Sequence, residues 1–464
     1  MSAKRRMPNR TDAGNAELFA ALYKDRVRYD HKQDRWLVWD NKLNQWNVDS
    51  ERKVRLLAKQ AARHRLAWAA TIKDDNEIKR EVAWAMQSES KPRIDAALSL
   101  AESEPPISDS GEGWDADPWL LGVGNGVLDL RTAKLRNAKP EDRITMRLPV
   151  EFHPEARCPR FEQFLSEVFG GDAERVEFIQ RALGYSLTGS TNEQCIFFCH
   201  GAGANGKSTF LGVFGYVLGD YAINLPFSAF EQKRSGGVPN DAAMLFRRRF
   251  VTAVETKEGV RLNEARVKSY TGGDLITARW LYQEFFQFEP THKLWLAFNH
   301  KPVIADDSHA MWRRVRLVPF TETFDKEQRD GKLPDKLRSE AQGILAWAVR
   351  GCLLWQKEGL GTAAAVECAT NRYRDESDHL AEFIAAYCVL GEAASVSRAD
   401  LWATYEQWTR ESAEIPLERA AFHERLRQRG AKDERVGHER TRGWKGIGLR
   451  KGCGQADRGG QVSA

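Results

Sequence analysis

Eight consecutive residues, Gly201-Ala202-Gly203-Ala204-Asn205-Gly206-Lys207-Ser208, fit the pattern G-x-x-x-x-G-K-[ST] without a mismatch and leave the local backbone little choice. Ile196, Phe197 and Phe198 predict a buried strand directly before them. Ser208 to Leu218 predicts a helix directly after them, closed by Gly219. Glycines let the chain curl until successive N–H groups face one point, and the helix N-terminus adds a favourable dipole there, so the unit suits an anion of phosphate type. On this reading Gly201, Ala202, Gly203, Ala204, Asn205, Gly206, Lys207, Ser208 and Thr209 cradle the phosphates of ATP. Lys207 reaches the β- and γ-phosphates, and Ser208 ligates Mg²⁺, which keeps most of its shell as water and phosphate oxygens.

Such a loop needs an acid on a neighbouring strand to hold the metal and orient the attacking water. The apolar run Arg249 to Val254 ends in Glu255, and Thr256 follows where a second acid could stand, so both duties are expected of Glu255. From Gln194 to Phe320 short apolar strands alternate with helical patterns, which argues for an α/β sheet covered on both faces. Helical periodicity resumes past Leu333, through Ile344, Trp347 and Leu354, and continues to Tyr387.

The rest of the chain is ordinary in composition. With 464 residues, 42% hydrophobic and 29% charged, it has the make-up of a multidomain globular protein rather than a disordered or fibrous one. No run approaches the ~18 apolar residues that cross a bilayer, and the basic start at Lys4, Arg5 and Arg6 leads into no apolar segment, so a cytoplasmic protein is expected, without membrane contact. Seven cysteines form no C-x-x-C pair, and Cys195 and Cys199, beside His200, read as buried thiols rather than metal ligands. Trp36, Trp39 and Trp46 among turn residues predict a small β-hairpin unit, followed by helical periodicity from Glu51 to Glu102. The polar stretch Glu104 to Asp117 reads as a linker, with Asp115 and Asp117 in solvent rather than on a metal. Asn125-Gly126 before Val127 to Leu130 predicts a turn and strand, and Phe161 to Phe169 and Val176 to Leu187 two amphipathic helices.

Charge is concentrated at the far end. Between Arg425 and Lys451 stand ten Lys or Arg against three Asp or Glu, in a chain whose net charge is only +5. Ser397 and Asp400 read as a capping box before a helix carrying Leu401, Trp402, Tyr405 and Trp408, and a second helix from Leu417 to Arg429 stops at Gly430. Two helices before a glycine-rich basic stretch, Trp444 to Leu449, predict a winged helix with that stretch as its wing and with Arg442 and Lys445 on DNA.

Taken together, the Asn-Gly-Lys-Ser loop, Glu255, Lys268-x-x-Thr271-Gly272-Gly273-Asp274, Arg279, the strand Leu294 to Phe298 ending in Asn299, and Trp312-Arg313-Arg314 resemble the superfamily 3 helicases of phage and plasmid primase-helicase proteins. Asn125 to Arg131 is similar to the accessory domain that precedes the motor there, so the likeness covers Pro118 to Phe320. It implies an α/β fold with an AAA+-like core, flanked by an N-terminal mixed α/β and helical region and a C-terminal winged helix. The expected divisions are 1–117, an accessory domain 118–192, the ATPase core 193–330, a helical closure 331–392, and the winged helix with basic tail 393–464. It further implies hexameric rings that hydrolyse ATP between subunits and draw single-stranded or forked DNA through the channel.

Residue by residue, Asn299 takes the place of the polar sensor. Arg313 and Arg314 take that of the arginine finger, with Arg314 preferred and the other pairing with Asp306 or Asp307. The family's DNA-gripping hairpin falls on Ile276 to Tyr282 and Phe286 to Leu296, with its tip near Gln283 to Phe285 and its contacts from Lys268, Arg279, Tyr282 and Lys293. The 117 residues before the accessory domain are short for a polymerase-type primase, which assigns priming to a separately encoded partner. Two other readings compete: an ATP-switched initiator or loader that does not unwind, and a phosphotransferase acting on small molecules.

Overall fold

The computed structural model describes residues 7–232, 240–255, 257–282, 284–305, 308–412, 416–436 and 441–450. The chain divides into two compact units, Met1–Asn371 and Arg372–Ala464.

The first unit opens with α1 (Asp12–Tyr23), whose N-cap Thr11 side chain accepts from the Gly14 N–H. The meander β1 (Val27–Asp30), β2 (Arg35–Asp40) and β3 (Gln45–Val48) follows, then α2 (Lys53–Ala69), α3 (Asp75–Ser88) and α4 (Lys91–Ala101). Trp39 and Trp46 face each other across the β2–β3 pair and meet edge to face at 5.5 Å, the cross-strand packing expected of them. Strand β4 (Ser108–Asp109) pairs in parallel with β1. The stretch Glu104 to Asp117 is therefore built into this unit and is not a linker. Its polar side chains are used internally: Asp109 accepts from both Arg143 Nη atoms at 2.7 and 2.8 Å and from Trp114 Nε1 at 3.1 Å. The Asp115 side chain is enclosed as well, accepting from Thr145 N and Oγ1 at 2.6 Å and from Arg247 at 3.3 Å. That corrects its expected place in solvent, because with Met146 N as a fourth donor at 3.1 Å the carboxylate needs none from water.

A three-stranded antiparallel sheet, β5 (Leu120–Val123), β6 (Gly126–Asp129) and β7 (Lys134–Arg136), leads to α5 (Pro159–Val168) and α6 (Ala173–Leu187). Then comes the central α/β part: β8 (Ile196–His200), α7 (Lys207–Leu218), β9 (Ala222–Asn224), β10 (Phe250–Glu255), α8 (Glu264–Thr271), β11 (Ile276–Arg279), β12 (Phe285–Phe288), β13 (Lys293–Phe298), α9 (His309–Trp312) and β14 (Val315–Pro319). Five of its strands form one parallel sheet in the order β14-β8-β13-β10-β9. Every residue of β13 is buried, as a strand covered on both faces requires. Helices α10 (Leu333–Ser339), α11 (Ala341–Glu358) and α12 (Ala364–Glu376) follow. Helix α11 lies directly on α6. A Cβ on Gly184 would sit 2.1 Å from Cys352 N, and one on Gly351 2.0 Å from Gln180 O, so both crossing points require glycine.

The second unit contains α13 (His379–Tyr387), β15 (Cys388–Ser397), α14 (Arg398–Glu411), α15 (Arg419–Gln428), β16 (Lys432–Val436) and β17 (Thr441–Leu449), with an antiparallel sheet ordered β15-β17-β16. Ser397 caps α14, accepting from Asp400 N at 3.0 Å. Leu380 and Phe383 of α13 share a core with Leu401, Tyr405, Phe422 and Trp444, so this unit begins at Arg372 and not at 393. Trp444 to Leu449 lies in β17, which pairs antiparallel with β16; Trp444 is fully buried and Ile447 nearly so. Residues 437–440 and the basic tail from Lys451 lie outside the described residues.

Candidate active site

The loop after β8 behaves as its sequence requires. Gly206, the N-cap of α7, has φ +86°, and a Cβ there would meet Val168 Cγ1 of α5 at 2.6 Å. Only glycine satisfies both the left-handed backbone and that packing. Lys207 begins α7 and is buried; its Nζ donates to Gly201 O at 2.6 Å, Asn205 Oδ1 at 2.9 Å and Asn299 Oδ1 at 3.1 Å. Burial lowers its pKa from the usual lysine range. Asn205 is buried and donates through Nδ2 to Phe320 O at 3.2 Å. Ser208, Ala202 and Ala204 are exposed beside it, while Gly203 and Thr209 are half-buried.

Register brings three strand ends level. His200 of β8 pairs with Phe298 of β13, and Phe298 with Glu255 of β10. Adjacent strands lie about 4.8 Å apart, so Glu255 stands two strands, or about 10 Å, from the start of the loop, with Asn299 between them. This edge is the carboxyl end of a parallel sheet, where open α/β folds place their ligands. Glu255 is buried and its Oε1 accepts from Lys257 N at 2.6 Å; Thr256 lies outside the described residues.

The two arginines lie at the opposite edge. Val315 of β14 is in register with Ile196 and Pro319 with His200, so the length of β14, about 13 Å, separates Arg313 and Arg314 from the loop of their own chain. They differ in exposure. Arg314 is buried, its Nε donating to Thr271 Oγ1 at 3.2 Å and its Nη1 to Ala310 O; burial, then the neighbouring Arg313, lowers its pKa. Arg313 is exposed, its Nη2 donating to Gln194 Oε1 at 2.6 Å. Of the two candidates for the arginine finger, the preferred Arg314 has its guanidinium bonded inside its own chain, and Arg313 is the exposed one. Asp306 and Asp307 lie outside the described residues.

The hairpin exists but is shorter than expected. β11 and β12 pair with Ile276 opposite Phe288 and Arg279 opposite Phe285, leaving 280–284 as the tip; Gln283 lies outside the described residues. The run Phe286 to Leu296 is not one strand, because β12 ends at Phe288 and β13 begins at Lys293. Arg279 is exposed and sits over the Phe285 ring at 5.0 Å; Tyr282, at 96% exposure, projects from the tip with φ +62°; Lys268 is half-buried on α8. Lys293 is not a DNA contact. It is buried, its Nζ donating to the carbonyls of Thr188, Ser190 and Thr291, and burial followed by Arg249 pushes its pKa well below the lysine range. In the second unit Arg442 and Lys445 are exposed on β17, with Lys445 3.9 Å from Glu434. Cys195 and Cys199 are buried free thiols, the first pushed up to about 12 by burial. Among the described residues no group of His, Cys, Asp and Glu could hold a metal by itself, and no helix is long and apolar enough to cross a membrane.

Sequence reasoning missed the Asn205 side chain, having used only that residue's backbone. One signal was available: it is the only polar residue at the variable positions of the motif.

A family model described as D5 N-terminal-like matches residues 16–170, and a family of unknown function matches residues 199–314. The first match extends the likeness from Pro118 back into α1. The putative helicase L207/L206 of Acanthamoeba polyphaga mimivirus is 25% identical over 424 residues, which are 84% of this chain and 43% of that protein. The putative primase C962R of African swine fever virus is 27% identical over 321 residues, 63% of this chain and 33% of that protein. The apo structure of the NrS-1 C-terminal region aligns at 11% identity with a TM-score of 0.49, over 90% of this chain and 87% of that one. The chain thus spans less than half the length of these curated relatives. With its D5 N-terminal-like region and its helicase- and primase-named viral relatives, the chain is similar to D5-like primase-helicases.

Proposed function

We propose that this chain is the motor of a replicative DNA helicase, hydrolysing ATP at the carboxyl edge of its parallel sheet and coupling that hydrolysis to movement along single-stranded DNA. One observation carries the reading: Lys207 is a buried cation whose hydrogen-bond partners are three neutral oxygens, at the mouth of a loop of N–H donors. A buried charge without a counter-ion is costly, and an anionic phosphate is the partner that would complete it.

In this mechanism Gly201 to Thr209 bind the triphosphate through backbone N–H groups, and Lys207 turns to the β- and γ-phosphates. Ser208 and Glu255 would hold Mg²⁺, which supplies charge neutralisation at those phosphates. Glu255 accepts the proton of the attacking water, and Asn299 orients that water or the γ-phosphate. Arg313, exposed and about 13 Å or more from its own loop, serves the loop of a neighbouring copy, so the working assembly is a ring, proposed to be a hexamer. Arg279 and Tyr282 on the hairpin contact the phosphates and bases of the threaded strand. The second unit, with helix–strand–helix–helix–strand–strand order, is proposed as a winged helix with Arg442 and Lys445 on DNA. The helicase names of relatives support a replication helicase role.

The test is ATP turnover by the purified chain with and without single-stranded DNA, together with strand displacement on a forked duplex. DNA-stimulated turnover that Lys207→Ala abolishes is the expected outcome, and turnover surviving in that variant refutes the site. Turnover without displacement assigns the chain to the ATP-switched initiators instead.

A further inference from the structure

We propose that the Asn205 side chain is a positioning residue that holds Lys207 in a closed resting state and releases it only to an incoming phosphate. The inference rests on reading the Gly201–Thr209 loop as a phosphate site and assigns that site a built-in latch.

A lysine ammonium has three N–H donors. In the resting chain all three are engaged, by Gly201 O, Asn205 Oδ1 and Asn299 Oδ1. A phosphate oxygen therefore meets no idle donor and has to displace one of these acceptors.

Asn205 is the acceptor best placed to control the exchange. It is 2% exposed, and its amide cannot easily turn, because Nδ2 is committed to Phe320 O and fills the space where a Gly201 Cβ would lie, 2.1 Å away. The neighbouring backbone is pinned too: Phe320 N donates to His200 O at 2.7 Å, and Phe324 N to Ala204 O at 3.0 Å. With Nδ2 fixed, Oδ1 faces Lys207. Departure of the ammonium leaves this buried amide oxygen without its partner, a cost that opposes nucleotide binding. The same bond keeps the four-carbon stem of Lys207 in one place between turnovers, which favours correct alignment when the phosphate is seated.

These two effects have opposite signs in binding and in catalysis, which separates the latch from a role in loop stability alone. The experiment measures binding of ADP to the full chain, ATP turnover and thermal unfolding, for the native sequence, Asn205→Ala and Asn205→Asp. Removing an acceptor from a charged donor should tighten ADP about tenfold in Asn205→Ala while kcat falls. A carboxylate at 205 would pair with Lys207 and repel phosphate, so Asn205→Asp should bind ADP at least about tenfold more weakly. Asn205→Ala binding ADP no more tightly than the native chain, at an unchanged unfolding temperature, overturns the latch. Should Asn205→Ala unfold early, Asn299→Ala removes another of the three acceptors from a different strand, and it too must tighten ADP or the proposal fails. A native chain that binds no ADP instead defeats the phosphate-site reading, and the latch with it.

Discussion

Lys207 and Lys293 are both buried, and their surroundings assign them different work. Lys207 is held by Gly201 O and the side-chain oxygens of Asn205 and Asn299, next to an exposed serine, whereas Lys293 is enclosed by the carbonyls of Thr188, Ser190 and Thr291 and lies 4.8 Å from the Tyr185 ring. Lys293→Ala should therefore cost about 2–4 kcal/mol of stability, through three carbonyls left without their donor, and leave DNA affinity unchanged. Denaturant unfolding and DNA titration check this; lost DNA affinity in a fully folded variant would return Lys293 to the DNA-binding set. Next to it, burial and then Lys293 push His292 down to about 3. Its folded pKa lies below the unfolded value, so the unfolded chain takes up a proton that the folded chain refuses, and stability present above pH ~6.5 is lost as pH falls toward 3. About 2 kcal/mol should disappear between pH 7 and pH 5, and His292→Leu should flatten that part of the pH profile. Neither role was legible in the sequence, because Lys293 and His292 adjoin a strand pattern that does not reveal which end is sealed.

At the scale of elements, β14 is a rod with a different duty at each end. Its carboxyl end is tied to the loop through Asn205 and Phe320, and its amino end presents Arg313 outward. Arg313→Ala should bind nucleotide normally yet hydrolyse it about a thousandfold more slowly, and mixing it with Lys207→Ala protein should restore part of the activity. Arg314→Ala should instead lose about 1–3 kcal/mol of stability with its bonds to Thr271 and Ala310. Hydrolysis lost only in the second variant would return the finger to Arg314. The hairpin leads into the amino end of β13 and so leaves the sheet at the edge opposite the loop. Stacking on bases is worth about 1–3 kcal/mol per aromatic, so Tyr282→Ala should weaken single-stranded DNA binding about tenfold without changing ADP binding. Equal DNA affinity in that variant would remove the tip from the DNA path. The hairpin was legible through the family resemblance; its length was not, because the apolar run continues into a different sheet.

For the whole molecule, the division at Asn371 and Arg372 falls within α12, so the proposed motor and the proposed DNA-binding end are best separated just past that helix. A chain ending at Ser377, just past α12, should keep ATP turnover while its DNA binding weakens and its salt dependence flattens, because fewer phosphates are neutralised. A salt slope equal to that of the full chain would make the basic end irrelevant to DNA. The loop, the strand before it, the helix after it and the acid ending β10 follow from local chemistry: tight glycine geometry, hydrophobic period and a capping residue act over a few neighbouring positions. Amino-acid order alone therefore determined that an α/β core carries a glycine-rich strand–loop–helix turn with Glu255 and Asn299 at strand ends. Tertiary structure alone decided which polar groups are spent inside the fold. Asp115, Arg314 and Lys293 read as free charges along the chain and become internal ties, because partners that desolvate them come from segments 30 to 132 residues away. No local pattern encodes that distance.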